Sequence, residues 1–297
     1  MSDSFIAIDW GSTNLRAWRY EQGACVDSLQ SEAGVTRLGG RTPQRVFSEL
    51  MARWAEPLPV VMAGMIGSNA GWLQVPYLPC PTRLPEVARR LTAVEPALPY
   101  QAWIIPGISV EREDNCNVMR GEETQLIGAY AERPAALYVM PGTHSKWVRM
   151  EGDALVDFRT LMTGELHHLL LHHSLIGAGL GAQQADARAF SRGLEAGVND
   201  GHLVQRLFET RAAHLLGRLE KSAVSDWLSG LLIGSEVAQM QRQYPLPAGA
   251  ELTLIGNPRL GERYAQAMNK VGIRHRFLDG DRAFQSGIRS IVHELEY

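Results

Sequence analysis

Four short stretches of this sequence carry residue types that could handle a phosphorylated ligand. In the first, the strand-like run Phe5-Ile6-Ala7-Ile8 ends in Asp9 and is followed by Gly11-Ser12-Thr13. A carboxylate at a strand end suits a hydrated Mg²⁺, Gly11 lets the main chain approach a ligand, and Ser12 and Thr13 add hydroxyl and N–H donors for phosphate. An Asp-x-Gly turn also closes ordinary hairpins, so this stretch alone leaves both readings open. The second stretch, Pro141-Gly142-Thr143-His144-Ser145-Lys146, repeats the pattern after the apolar run 135–140 and adds a lysine. The echo matters more than either copy, because two such turns could face each other across a cleft and hold a phosphate chain. In the third, Gly121-Glu122-Glu123 opens an apolar-periodic segment. Acidic residues complement a helix N-terminus there, and a carboxylate so fixed could equally act as a general base toward a hydroxyl. The fourth, Gly256-Asn257-Pro258, follows a buried-looking strand and could receive a nucleobase and ribose at the turn into a helix.

A further loop, 64–72, combines three glycines with Ser68, Asn69 and Trp72. Gly67 clears space, Ser68 can bond a hydroxyl, and Trp72 either offers a flat face to a sugar or tucks into the core. His168 and His172 share a helical face at a zinc-site spacing, but no glutamate intervenes, and solvated surface histidines are the preferred reading.

Composition narrows the class. Across 297 residues the net charge is −3 with acidic and basic residues intermingled, so nothing calls for nucleic acid or an anionic membrane. The most apolar stretch, 60–66, is too short to span a bilayer. Cys25, Cys80 and Cys116 are odd in number and widely spaced, which suits reduced thiols in the cytoplasm and no structural metal.

The elements that must position these residues alternate between strand and helix character. A hairpin over 5–20 and a third strand over 24–29 lead to a helix that Thr42 caps and Pro43 starts, with Val46, Leu50 and Trp54 on one face. A strand over 59–63, a helix over 86–91 and a strand over 101–108 follow. The polar segment 111–117 is expected to mark the passage between two lobes, 1–115 and 116–297. Helices are expected from Glu122, through 173–174, and over 186–194, 203–219, 226–244 and 281–294, with a strand over 274–278.

The ordered set resembles the actin, hexokinase and Hsp70 superfamily, and within it the 2-dehydro-3-deoxygalactonokinase family, over nearly the whole chain. The resemblance rests on 8–16, 62–68, Gly71-Trp72 with 76–81, 119–125, 141–147, and Phe158-Arg159-Thr160 with 162–165. It implies an α/β, two-lobed actin-like ATPase (ribonuclease H-like) fold, each lobe a mixed sheet flanked by helices, with the ligand cleft between. It also implies transfer of the ATP γ-phosphoryl group to the 6-hydroxyl of 2-dehydro-3-deoxy-D-galactonate. Asp9 would then position Mg²⁺ through water. Gly11, Ser12, Thr13, Gly142, Thr143 and Ser145 would contact phosphates, Lys146 would neutralise developing charge, and Gly256 and Asn257 would bound the adenosine site. Glu122 falls where related kinases place a catalytic Asp, with Glu123 and Asp114 as rivals. Arg16, Arg83, Arg120 and Arg159 are candidates for the substrate carboxylate, Arg16 and Arg120 lying beside motif residues. The partners implied are a sugar acid and ATP, with a homodimer allowed. A kinase for another small sugar or sugar acid and a sugar-sensing protein on the same scaffold are the alternatives; a chaperone or filament would need larger subdomains.

Overall fold

A computed structural model of the chain describes residues 4–54, 56–95, 99–199 and 202–294. These group into two compact units: Met1–Pro134 with Met150–Phe158 and Gly280–Tyr297, and Ala135–Arg149 with Arg159–Asp279.

In chain order the first part holds β1 (Phe5–Trp10), β2 (Leu15–Glu21), β3 (Ala24–Ser31), α1 (Pro43–Met51), β4 (Val60–Ala63), β5 (Leu78–Pro79), β6 (Thr82–Arg83) and α2 (Leu84–Arg89). It continues with β7 (Thr92–Ala93), β8 (Ala102–Ile104), β9 (Ile108–Arg112), β10 (Asn115–Met119) and α3 (Glu122–Glu132). After these come β11 (Leu137–Met140), β12 (Ser145–Glu151), β13 (Ala154–Leu161), α4 (Thr163–His173), α5 (Ala187–Asn199), α6 (Leu203–Leu215) and α7 (Val224–Gln243). The chain closes with β14 (Glu251–Gly256), α8 (Pro258–Lys270), β15 (Arg274–Asp279) and α9 (Gly280–Glu294).

The first unit is built on a mixed sheet in the order β3-β2-β1-β4-β8-β7. Ile6, Ala7 and Ile8 are fully buried, as a central strand covered on both faces requires. Strand β1 runs antiparallel to β2 and parallel to β4, so Asp9 and Ala63 end side by side. Helix α1 starts as its sequence prescribes, with the Thr42 hydroxyl accepting from Arg45 N at 3.2 Å. Its Val46, Phe47, Leu50 and Met51, with Trp54 beyond it, cluster with Ile6, Ile8 and Trp10.

In the second unit the strands lie in the order β15-β14-β11-β12, parallel except for the β11–β12 hairpin. Val139, Trp147, Val237, Leu254 and Tyr264 share its core, which fixes α7 and α8 against this sheet. No helix of the described residues is long and apolar enough to cross a membrane.

Three expectations need correction. The run 101–108 is two strands in two sheets, β8 and β9, with Gly107 between them accepting from Leu78 N at 2.9 Å. The polar segment 111–117 folds as the β9–β10 hairpin and groups with the first unit. Helix α2 begins at Leu84 rather than residue 86, since Pro85 suits a first helical turn.

Candidate functional site

The register of β1 on β2 sets Arg16 directly across from Asp9. Its guanidinium holds the Asp9 carboxylate and also reaches Asp281, in the first turn of α9. Behind the turn, Val35, Thr36 and Gly34 donate their N–H groups to the carbonyls of Gly11, Ser12 and Thr13 at 3.0, 2.9 and 3.2 Å. A Cβ on Gly34 would lie 2.3 Å from the Thr13 carbonyl carbon, so only glycine lets this segment seal the turn. The Ser12 and Thr13 side chains remain exposed, as a phosphate grip requires.

Glu122 is carried to Asp9 by a contact of two main chains. Gly64, at φ +95°, lies where a Cβ would come 2.8 Å from Trp10 O and 3.5 Å from Asp9 Oδ1. Gly121, at φ +110°, packs on Gly64 in turn. Burial raises the Asp9 pKa against the pull of Arg16, and the neighbouring Asp281 and Glu122 carboxylates raise it further. Arg16 pairs with two of these carboxylates, Asp9 and Asp281. Among the described residues no group of three or more His, Cys, Asp or Glu is arranged to hold a metal. A single strand-end carboxylate fits a magnesium ion held through water and by phosphates rather than in a protein cage.

The rivals of Glu122 are placed elsewhere. Glu123 is wholly buried, its carboxyl pushed up to about 8 by burial first and the Glu122 charge second. It accepts from Gly121 N at 2.9 and 2.7 Å, which shapes the turn but leaves it no route to a substrate. Asp114 sits exposed on the β9–β10 turn. The Glu122 carboxylate accepts from Arg120 N at 3.1 Å.

The loop residues Ser68 and Trp72 pack inward. Ser68 is buried, its hydroxyl donating to Met65 O at 2.7 Å, and Trp72 packs edge-on against Phe47 with ring centres 5.0 Å apart. Trp72 therefore takes the core alternative. Gly67 leaves room for Arg120, whose Nη1 would lie 2.8 Å from a Cβ there. Of the candidate arginines, Arg16 is taken by Asp9 and Asp281, and Arg83 is held by Asp153 at 2.8 Å. Arg120 is 8 % exposed, lies 4.3 Å from the Tyr77 ring centre, and donates Nη2 to Val75 O at 2.6 Å. Its Nε and Nη1 are buried with no acceptor among the described residues. Arg159 is half-buried on β13.

In the second unit the turn from β11 to β12 is sealed in the same manner as the first. Glu165 N donates to Thr143 O at 3.0 Å, and a Cβ on Gly164 would lie 2.5 Å from Gly142 O. Thr143 is exposed, and His144 pairs with Glu165 at 2.5 Å. Ser145 is not: it is fully buried, with its hydroxyl donating to Glu236. Lys146 is buried too, its Nζ donating to His144 O at 3.1 Å, so its ammonium braces the turn from within.

Beside this turn a cavity of about 410 Å³ is lined by Gly142, Thr163, His167, Ser225, Asn257 and Tyr264, among others. Asn257 caps α8 by accepting from Arg259 N at 2.9 Å, and Gly256 lies against Pro141. The Arg263–Asp226 ion pair, 2.5 Å apart, also lines the cavity. Burial lowers the pKa of His167, whose Nε2 lies 3.0 Å from Ser225 O. Sequence reading missed Thr163, His167, Ser225 and Tyr264; the helical phase of α7 places Ser225 and Ser229 on one face, a signal that was available but shared by many helices. His168 and His172 lie on α4 with ring centres 4.6 Å apart.

The chain matches the family described as 2-keto-3-deoxy-galactonokinase over residues 9–291. It belongs to that family. It is 54 % identical over 296 residues to the 2-dehydro-3-deoxygalactonokinase of Escherichia coli (strain K12), covering 99 % of each chain. It is similar to a solved structure of a candidate 2-dehydro-3-deoxygalactonokinase from Sinorhizobium meliloti, at TM-score 0.89, 32 % identity, and 98 % and 99 % coverage. The fold is that of the actin-like ATPases. An activator of 2-hydroxyisocaproyl-CoA dehydratase from Clostridium difficile, solved with ADPNP, shares it at TM-score 0.54 and 12 % identity, covering 99 % and 96 %. The family's activity is a kinase activity, and Asp9 stands at the first residue of the match.

Proposed function

We propose that this chain is a cytoplasmic, ATP-dependent kinase that phosphorylates the 6-hydroxyl of 2-dehydro-3-deoxy-D-galactonate. The observation that carries the reading is the placement of Asp9 and Glu122 on either side of the Gly64–Gly121 contact in a chain of this family.

Glu122 takes the proton of the 6-hydroxyl as that oxygen attacks the γ-phosphorus. The bond from phosphorus to the bridging oxygen breaks, and ADP leaves with the electron pair. A magnesium ion held through water at Asp9 supplies charge neutralisation on the phosphates when bound. Arg16 opposes the rise in the Asp9 pKa and holds the carboxylate in place. Gly11, Ser12, Thr13, Gly142 and Thr143 contact phosphates, and the cavity at Asn257 receives adenosine.

Arg120 receives the sugar-acid carboxylate. A buried guanidinium with two unanswered nitrogens is unfavourable alone, and a carboxylate supplies both the counter-charge and the acceptors. Tyr77, 38 % exposed, stacks over the guanidinium.

The test is an ADP-release assay with Mg-ATP and three acceptors: 2-dehydro-3-deoxy-D-galactonate, its gluconate epimer and simple hexoses. Turnover confined to the galactonate acid is expected. Preferred turnover of hexoses overturns the assignment, and ATP hydrolysis indifferent to every acceptor favours a sensor.

A further inference from the structure

Ser145 ends the second phosphate turn, yet its hydroxyl donates into a buried carboxylate. That carboxylate, Glu236 on α7, is 2 % exposed and accepts from four donors. Ser145 Oγ and Trp147 Nε1 reach Oε1 at 2.6 and 2.7 Å. Tyr264 OH reaches Oε2 at 2.7 Å, and Thr163 Oγ1 donates to the same oxygen. None of the four is a cation. Burial raises the carboxyl pKa while the four donors oppose the rise.

The donors come from three elements, β12, the first residue of α4 and the middle of α8. Each bears a wall of the cavity: Ser145 anchors the end of the turn that presents Gly142, while Thr163 and Tyr264 line the cavity directly. Helix α7, which carries Glu236, contributes Ser225, Ser229, Leu232 and Ile233 to the same lining. An apolar side chain could fill the space of Glu236. It could not set the direction of four polar side chains, and it would leave their buried donors unsatisfied.

We propose that Glu236 is the positioning residue of the nucleotide site, holding the second phosphate turn, the start of α4 and α8 in the one arrangement that fits ATP. The proposal rests on the reading of the cavity as the adenosine site. The Glu236 carboxylate touches no substrate itself and acts through Ser145, Thr163 and Tyr264.

The experiment is ATP binding by calorimetry, together with KM for each substrate, in Glu236→Gln, Tyr264→Phe, Thr163→Val and Ser229→Trp. In Glu236→Gln the indole N–H of Trp147 cannot reverse, so the amide oxygen must face β12. The amide NH₂ then faces the hydroxyls of Thr163 and Tyr264, which lose Oε2 as acceptor, Tyr264 keeping only Ser145 Oγ at 3.5 Å. The expected result is a Kd and KM for ATP raised about tenfold, the size of one misplaced hydrogen bond, with the KM for the sugar acid unchanged. Tyr264→Phe and Thr163→Val, each removing one donor, shift ATP affinity in the same direction, less than additively with Glu236→Gln, and serve if that variant does not fold. A lowered denaturation temperature with both KM values unchanged reveals a purely structural carboxylate and overturns the proposal. Ser229→Trp fills the cavity: unchanged ATP affinity there overturns the cavity reading itself, whereas lost affinity there beside wild-type affinity in Glu236→Gln overturns the role of Glu236 alone.

Discussion

The main chains of Gly64 and Gly121 meet so closely that a Cβ on Gly121 would lie 3.3 Å from the Gly64 Cα. Both residues hold positive φ, a region that side chains rarely tolerate. This contact stands between Asp9 and Glu122. Gly121→Ala is therefore expected to destabilise the protein by about 1–3 kcal/mol and to lower kcat well beyond the loss of folded protein. Urea denaturation alongside active-site titration separates the two effects. Wild-type kcat per folded molecule would show that the contact does not position the catalytic pair.

Arg16 is bound to Asp9 and Asp281, so it is expected to serve Asp9 and not the substrate. Arg16→Ala should lower kcat by at least about tenfold while leaving the KM for the sugar acid near its wild-type value. A raised sugar-acid KM at unchanged kcat would return Arg16 to the substrate carboxylate.

Arg120→Lys keeps a charge but loses the planar fork, and a bidentate carboxylate site does not tolerate that exchange. The expected result is a KM for the sugar acid raised on the order of tenfold or more, with ATP binding intact. Equal loss of affinity for both substrates would assign Arg120 to the structure of the 64–77 loop.

Glu123 gives the protein a pH-dependent stability. Its folded-state pKa of about 8 lies above the ordinary glutamate value of 4.5. In that interval the folded protein binds the proton and the unfolded chain does not, so the contribution is full below 4.5 and is lost as pH rises through 8. At about 1.4 kcal/mol per pKa unit, several kcal/mol are at stake. Denaturation midpoints from pH 5 to 9 should fall in the wild type and fall less in Glu123→Gln. Parallel curves would place the Glu123 carboxyl in a more polar setting than its burial implies.

Much of this was legible in the sequence, for identifiable reasons. The turn at Asp9, the turn at Gly142 and the cap at Asn257 are local, fixed by glycine, hydroxyl and proline at short range, and all three stand where their spacing put them. Helix α1 likewise follows from Thr42, Pro43 and its apolar stripe. What was hidden is long-range. Nothing near Ser145 says that its hydroxyl turns inward, because the acceptor lies 91 residues away in sequence. Trp72 reads as either a sugar platform or a core residue until Phe47 is seen beside it. The 111–117 hairpin looks like a linker because its polar residues bond to each other and to Asp157, a pairing composition does not reveal.

The central claim is that Glu122 is the base of a sugar-acid kinase. Its most direct test is rapid-quench single turnover of Glu122→Gln with Mg-ATP and 2-dehydro-3-deoxy-D-galactonate, with both substrates shown to bind. The account predicts wild-type affinities and a phosphoryl-transfer step slowed by about 10²–10⁴-fold. Transfer at the wild-type rate would contradict it and move the base elsewhere.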